Sequence, residues 1–239
     1  MNDKVSQVIL CGGFGSRLAK FIDSSKCLLK INNKPFISYV IDSIPSSYID
    51  KIVLCTGHLG AEYEVFREAS GNIKINLSHE QSPLGTGGAL LNINPLLLEN
   101  NVLLMNGDSL CNFDFLDMYQ KHIQCCADIS ILVVKDNTRT DAGNVTLDSF
   151  GKITNFSNKD KSMNSGYINA GIYIIKKNVL LSENYKKIKK ISLEHELIPE
   201  WVVKRKVIGY VADSPLFDIG TPERLVEFKI AFEVQKNGH

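Results

Sequence analysis

Apolar residues fall in short runs along this chain, separated by stretches of helical period. Val5–Leu10, Ile52–Thr56, Val102–Met105 and Ile129–Val134 have the pattern of largely buried strands. Phe36–Ile44 and Phe113–Ile123 lie between them at helical spacing, with Pro35 expected at the first helical position, where its missing N–H costs nothing. This alternation predicts a sheet with parallel strands and helices on both faces. The second half changes character. Asn144–Leu147 and Lys152–Phe156 flank an Asp-Ser-Phe-Gly turn as a hairpin, and Tyr167–Ile175 is a longer strand. Ser192–Val203 is expected to be a helix capped by Ser192, with Glu194 in its first turn; Thr221-Pro222-Glu223 opens a last helix in the same manner. No Pro/Ser/Gly-rich linker divides the halves, so residues 1–239 are expected to form one domain, with a regular first half and a mixed second half.

Composition adds mainly exclusions. The 239 residues are 44% hydrophobic and 22% charged, ordinary for a globular protein, and the formal net charge of +1 makes no electrostatic case for nucleic acid or an anionic membrane. No apolar run is long enough to cross a bilayer, and the N-terminus lacks the look of a signal peptide. Six cysteines form no CxxC pair and no zinc spacing, and are expected as reduced thiols in a cytoplasmic protein. Cys27 is the one to watch as a thiol nucleophile, because it adjoins Lys26.

The candidate chemistry sits where buried runs end. After Val5–Leu10 comes Cys11-Gly12-Gly13-Phe14-Gly15-Ser16-Arg17, which matches neither the P-loop nor the dinucleotide fingerprint. Its glycines let backbone N–H groups approach oxygen anions, and Arg17 offers a planar fork of donors for phosphate; the plain alternative is a tight turn with a surface arginine. Lys26 precedes an expected short strand, Leu28–Ile31, and would supply a second cation to the same phosphate chain. A second glycine-rich turn, Pro83-Leu84-Gly85-Thr86-Gly87-Gly88, would present backbone groups to a flat base, or simply end at a helix N-terminus. Asn106-Gly107-Asp108 follows a buried run, where parallel sheets bind ligands, and its carboxylate suits Mg2+. Asp218 is a second such acid. In Asn169-Ala170-Gly171 a polar residue and a glycine interrupt a strand, marking a close approach or a bulge.

Taken in order, Gly12–Arg17, Lys26, Pro83–Gly88, Asn106-Gly107-Asp108, Asn169-Ala170-Gly171 and Asp218-Ile219-Gly220-Thr221-Pro222 resemble the motifs of the sugar-phosphate nucleotidyltransferase family, from residue 8 to about 225. The resemblance implies a Rossmann-like, mixed and mostly parallel sheet flanked by helices, of the nucleotide-diphospho-sugar transferase type. It implies a Mg2+-dependent reaction in which a sugar 1-phosphate oxygen attacks the α-phosphorus of a nucleoside triphosphate and pyrophosphate leaves. Arg17 and Lys26 would be catalytic. Leu10, Gly12, Gly13, Gly15, Ser16, Pro83, Gly85, Thr86, Gly87 and Gly88 would frame the nucleotide. Asn106, Gly107, Lys159, Asn169, Gly171 and Glu194 would hold the sugar, and Asp108 and Asp218 the metal.

The chain departs from that pattern in places. Ser25 and Cys27 flank the lysine where prolines are usual, and Asn158 stands where an acid normally precedes Lys159. It also ends soon after the last motif, where many relatives carry a further domain. Cys-Gly-Gly, Lys34-Pro35-Phe36 and the short length are most similar to D-glycero-α-D-manno-heptose 1-phosphate guanylyltransferases, implying GTP as donor. Mannose 1-phosphate guanylyltransferases and glucose 1-phosphate cytidylyl- or thymidylyltransferases share the same backbone motifs. A non-catalytic nucleotide-sugar sensor is the alternative of another class, and the C-terminal helices are a candidate homodimer surface.

Overall fold

A computed structural model describes residues 4–13, 24–57, 59–71, 75–136, 139, 142–157, 166–182 and 190–237. The first strand, β1 (Val5–Leu10), is central. It pairs in parallel with β4 (Ile49–Thr56) on one side and with β6 (Asn101–Asn106) on the other, and β5 (Ile75–His79) extends the sheet beyond β4. The chain therefore moves one way from β1 to β4 and returns to the far side of β1 for β6. That reversal opens a crevice at the carboxyl ends of these strands.

Past β6 the sheet becomes mixed. The long strand β11 (Tyr167–Lys176) runs antiparallel to β6 and to β8 (Ile129–Lys135), and β12 (Val207–Ala212) lies parallel to β8. The expected hairpin is β9 (Asn144–Leu147) and β10 (Ile153–Ser157), with β9 paired to the start of β11. Asp148 closes its turn by accepting from the N–H groups of Phe150 and Lys152.

Side chains alternate between the two faces of the sheet with a period of two, so each strand feeds two cores. One face takes Ile9, Leu103, Met105, Leu132 and Ile174 and is covered by α1 (Phe36–Asp42), α2 (Gly60–Ala69), α4 (Phe115–Gln124) and α7 (Pro222–Asn237). The other takes Val8, Leu104, Ile131, Val133 and Tyr173 under α3 (Gly85–Leu91), α5 (Lys177–Ser182) and α6 (Ile198–Lys204). Burial on both faces explains why the strands read as unbroken apolar runs.

Several local expectations shift. Lys26 does not precede a strand over Leu28–Ile31: Lys26–Leu28 is a turn of 3-10 helix, and β2 is only Lys30–Ile31, paired with β3 (Lys34–Pro35). Pro35 consequently sits at the N-cap of α1 instead of its first turn, because its backbone is shared with that small ribbon. The helix over Ser192–Val203 forms with the Ser192 cap intact, but Leu193–Leu197 is a π-helical turn in which the Ile198 N–H donates to the Leu193 carbonyl. Pro199, one residue on, cannot donate to the His195 carbonyl and so cannot continue α-helical bonding there.

Candidate active site

The crevice is built from segments distant in sequence. Leu10 ends β1 opposite Asn106 at the end of β6, and the Gly107 N–H donates to the Leu10 carbonyl at 3.0 Å. After Asn106 the chain turns into β7 (Ser109–Cys111), which pairs antiparallel with β13 (Leu216–Asp218). This two-stranded ribbon sets Asp218 opposite Ser109, and the Ile219 N–H donates to the Asp108 carbonyl at 3.0 Å. The two acids singled out as metal ligands thus lie on neighbouring backbones.

Lys26 donates to Asp108 Oδ2, while the Ser109 hydroxyl donates to Asp108 Oδ1 at 3.1 Å. Burial is the largest single influence and works against the Lys26 ammonium, but the neighbouring negative groups, Asp108 foremost and Asp218 among them, together outweigh it and the lysine pKa ends above its ordinary value. Lys26 therefore carries its charge throughout the neutral range. Cys27, weighed as a nucleophile, is wholly buried in the core.

Two cavities meet at this ion pair. The larger, about 440 Å3, is lined in part by Asn169, Gly171, Arg139, Asp218 and Arg224. The smaller, about 250 Å3, is lined in part by Leu10, Gly12, Gly13, Glu80, Pro83 and Gly85. Lys26, Asn106, Asp108 and Glu194 line both. Glu194 is positioned by the Thr86 hydroxyl, which donates to its Oε2 at 2.9 Å and itself accepts from the Leu193 N–H at 2.8 Å. The Glu80 carboxyl has its pKa raised by burial, against the opposing pull of the Leu84 N–H that donates to it.

The second glycine turn is the first turn of α3. Gly85 has φ +76°, and a Cβ there would stand 2.5 Å from the Ile191 carbonyl oxygen. Gly85, Thr86 and Pro83 face the smaller cavity, but Gly87 and Gly88, expected to offer their N–H groups to a base, donate them to the Ile191 carbonyl. The helix N-terminus is thus spent on holding the 191–193 segment that leads into Glu194.

The interrupted strand at Asn169-Ala170-Gly171 is a bulge: β11 loses register with β8 between Asn169 and Tyr173. Asn169 accepts from the Gly171 N–H at 3.0 Å and donates to the Tyr173 hydroxyl at 2.7 Å, so its amide braces the bulge as it lines the cavity. Gly171 has φ +74°, and a Cβ on it would stand 2.5 Å from Asn106 Nδ2. Only glycine lets Asn106 occupy the crevice there. Gly15, Ser16, Arg17 and Lys159 lie outside the described residues.

Arg139, Arg224 and Glu80 were not singled out from sequence. Arg139 Nη1 donates to Asp218 Oδ2 at 2.6 Å, and Arg224 Nη1 lies 3.2 and 3.3 Å from the two Asp218 oxygens. A signal for each exists. Arg139 follows the carboxyl end of β8, the topological position that flagged Asp108, and Arg224 is a cation in the first turn of a helix, where the dipole disfavours one. Among the described residues no group of three or more His, Cys, Asp and Glu side chains has metal-holding geometry.

Comparison with known proteins agrees with this architecture. The nucleotidyl transferase family model matches residues 6–234. D-glycero-α-D-manno-heptose 1-phosphate guanylyltransferase of Aneurinibacillus thermoaerophilus is 32% identical over 222 residues, 90% of this chain and 93% of that protein. Mannose-1-phosphate guanylyltransferase of Mycobacterium tuberculosis is 29% identical over 228 residues, 93% of this chain but 63% of the relative. The crystal structure of HddC from Yersinia pseudotuberculosis superposes with a TM-score of 0.79 at 26% identity, covering 95% of this chain and 99% of the other. That protein complexed with GMP-PN superposes equally well at 25% identity.

Proposed function

Since the chain belongs to the nucleotidyl transferase family, we propose that its cleft transfers the guanylyl group of GTP to a sugar 1-phosphate, with D-glycero-α-D-manno-heptose 1-phosphate as the sugar. The observation that carries this is the meeting of two cavities at the Lys26–Asp108 pair, the smaller walled by Leu10, Gly12 and Pro83 and the larger by polar side chains. The Aneurinibacillus relative, similar over nearly its whole length, supports the choice of sugar. The Yersinia complex with GMP-PN supports guanine as the base.

In this reaction a phosphate oxygen of the sugar forms a bond to the α-phosphorus of GTP, and the bond from that phosphorus to the β-phosphate bridge breaks, releasing pyrophosphate. Nothing here needs a covalent enzyme intermediate; the rate comes from orientation and from neutralising phosphate charge. Lys26, at the seam of the two cavities, faces the oxygens of both reactants. Glu194 and Asn106, also at the seam, orient the sugar hydroxyls. Arg17 takes the triphosphate tail, and Lys159 the sugar phosphate. Asp108, in the turn just before β7, and Asp218, at the end of β13, are hard oxygen donors, a donor set that fits Mg2+ completed by phosphate oxygens. When bound there, Mg2+ would supply charge neutralisation at the α-phosphate.

The test is pyrophosphate release with Mg2+ over four nucleoside triphosphates crossed with heptose, mannose and glucose 1-phosphates. Release with GTP and the heptose is expected. Release with GTP and mannose 1-phosphate alone would favour a second substrate, for which the mycobacterial relative speaks. Bound nucleotide with silence across the panel would overturn the enzyme in favour of a sensor.

A further inference from the structure

Two guanidinium groups in the larger cavity have no part in the roles above. We propose that Arg139 and Arg224 are a grip for the phosphate of the sugar 1-phosphate, held on Asp218 and handed to that phosphate when Asp218 turns to a divalent cation. This rests on the sugar 1-phosphate transfer proposed above.

Asp218 faces both arginines at once. Arg139 is firmly built in: its Nη2 donates to the Leu216 carbonyl at 2.7 Å, its backbone N–H donates to Asp136 Oδ1 at 3.2 Å, and its Nε lies 3.6 Å from the Asp136 carboxylate. Its Nη1 is thereby aimed into the cavity at Asp218. Arg224 reaches the same carboxylate from α7, with one nitrogen straddling both oxygens at 3.2 and 3.3 Å, longer than a good charge-assisted bond. The side chains of Asp218, Arg139 and Arg224 are 11%, 15% and 24% exposed, so the cluster opens on the cavity and not on bulk solvent.

A first-turn arginine opposes the helix dipole, and Asp218 takes two guanidinium groups at once, one of which, Arg139, also faces Asp136. Both facts make sense if the resting contact is exchangeable. A phosphate dianion offers planar forks more acceptor oxygens than Asp218 does. The same carboxylate oxygens are the ones a hard cation takes. Cation and arginines therefore compete for Asp218, while cation and sugar phosphate assist each other, and such coupling is reciprocal.

The first readout is Mn2+ binding, followed by the electron paramagnetic resonance signal of the free ion, in the whole protein and in Arg139→Gln and Arg224→Gln. The second is the KM of each variant for the sugar 1-phosphate that the unaltered protein turns over. Removing either arginine is expected to tighten Mn2+ binding by about threefold or more. The KM for the sugar phosphate should rise about tenfold, and that for the nucleotide should stay within about twofold. Arg224→Lys, which keeps the charge but loses the fork, should bind Mn2+ normally and show an intermediate KM. Arginines that merely brace Asp218 would give unchanged or weaker Mn2+ binding when removed, and that result overturns the handover. If Arg139→Gln does not fold, Arg224→Gln decides alone. A protein silent with every sugar counts against the proposed function, and the sugar-phosphate grip falls with it; the Mn2+ titration then still decides whether the arginines compete with a cation for Asp218, tighter binding in Arg224→Gln supporting that competition and equal or weaker binding sinking it.

Discussion

His122 shows how a residue's surroundings decide its chemistry. It lies wholly buried on α4, with Nδ1 2.8 Å from the Ser130 hydroxyl and Nε2 without a partner among the described residues. Burial, helped by the nearby Lys176 charge and opposed by Asp128, pushes its pKa down to about 4. A depressed histidine contributes stability that is fully present above its unfolded pKa, near 6.5, and lost as pH falls toward 4, because the unfolded chain takes up the proton first. That loss is on the order of 2–3 kcal/mol. Urea unfolding at pH 7 and pH 4.5 should show a drop in the native protein that His122→Phe does not share beyond the drop common to its carboxylates. An equal drop in both would mean His122 does not titrate on unfolding. Gly171 is the same lesson at the site: its left-handed backbone and the Asn106 side chain against it explain the glycine that interrupts a strand.

Among the elements, the turn carrying Lys26 is held by α2. The Ser25 hydroxyl lies 2.5 Å from the Tyr63 hydroxyl, which donates to the Cys11 carbonyl at 3.3 Å, and the Ser25 N–H donates to Glu62 at 3.0 Å. These contacts tie the lysine turn, whose lysine has no flanking proline, to the start of the glycine loop. Tyr63→Phe is expected to cost about 1 kcal/mol of stability. It should also lower kcat several-fold with KM little changed, since Lys26 loses its fixed position before either substrate loses a contact. Unaltered kcat in a destabilised variant would make the strut purely structural. Helix starts were legible where a cap residue marks them: Ser192 accepts from the His195 N–H, and Thr221 from that of Arg224. The π-helical turn was not legible as such, although Pro199 is its cause, because proline in a sequence marks a break without saying how the bonds rearrange.

For the whole molecule, the decisive feature is that both cavities open on one ion pair. Lys26 comes from the first half of the chain, Asp218 and Glu194 from the second; the β7–β13 ribbon brings Asp218 to the end of β6, and Thr86 at the start of α3 holds Glu194 there. On the proposed reading, a cation at such a seam acts on the transfer itself. Lys26→Ala is expected to lower kcat by about 100-fold or more, while the dissociation constant of GTP, measured by calorimetry, moves less than about threefold. Comparable losses in rate and binding would place Lys26 on the nucleotide alone. No helix among the described residues is long and apolar enough to cross a membrane.

The sequence by itself determined the strands buried on both faces, most helix starts and the motifs that end in the crevice, since these rest on local periodicity, capping and glycine geometry. The nearness of Asp108 to Asp218, the commitment of the Gly87 and Gly88 N–H groups to Ile191, and the arginines on Asp218 were decided only by the tertiary structure. Each depends on partners roughly 80 to 110 residues apart or on a side chain across the cleft, and no local pattern encodes which distant group a donor will meet.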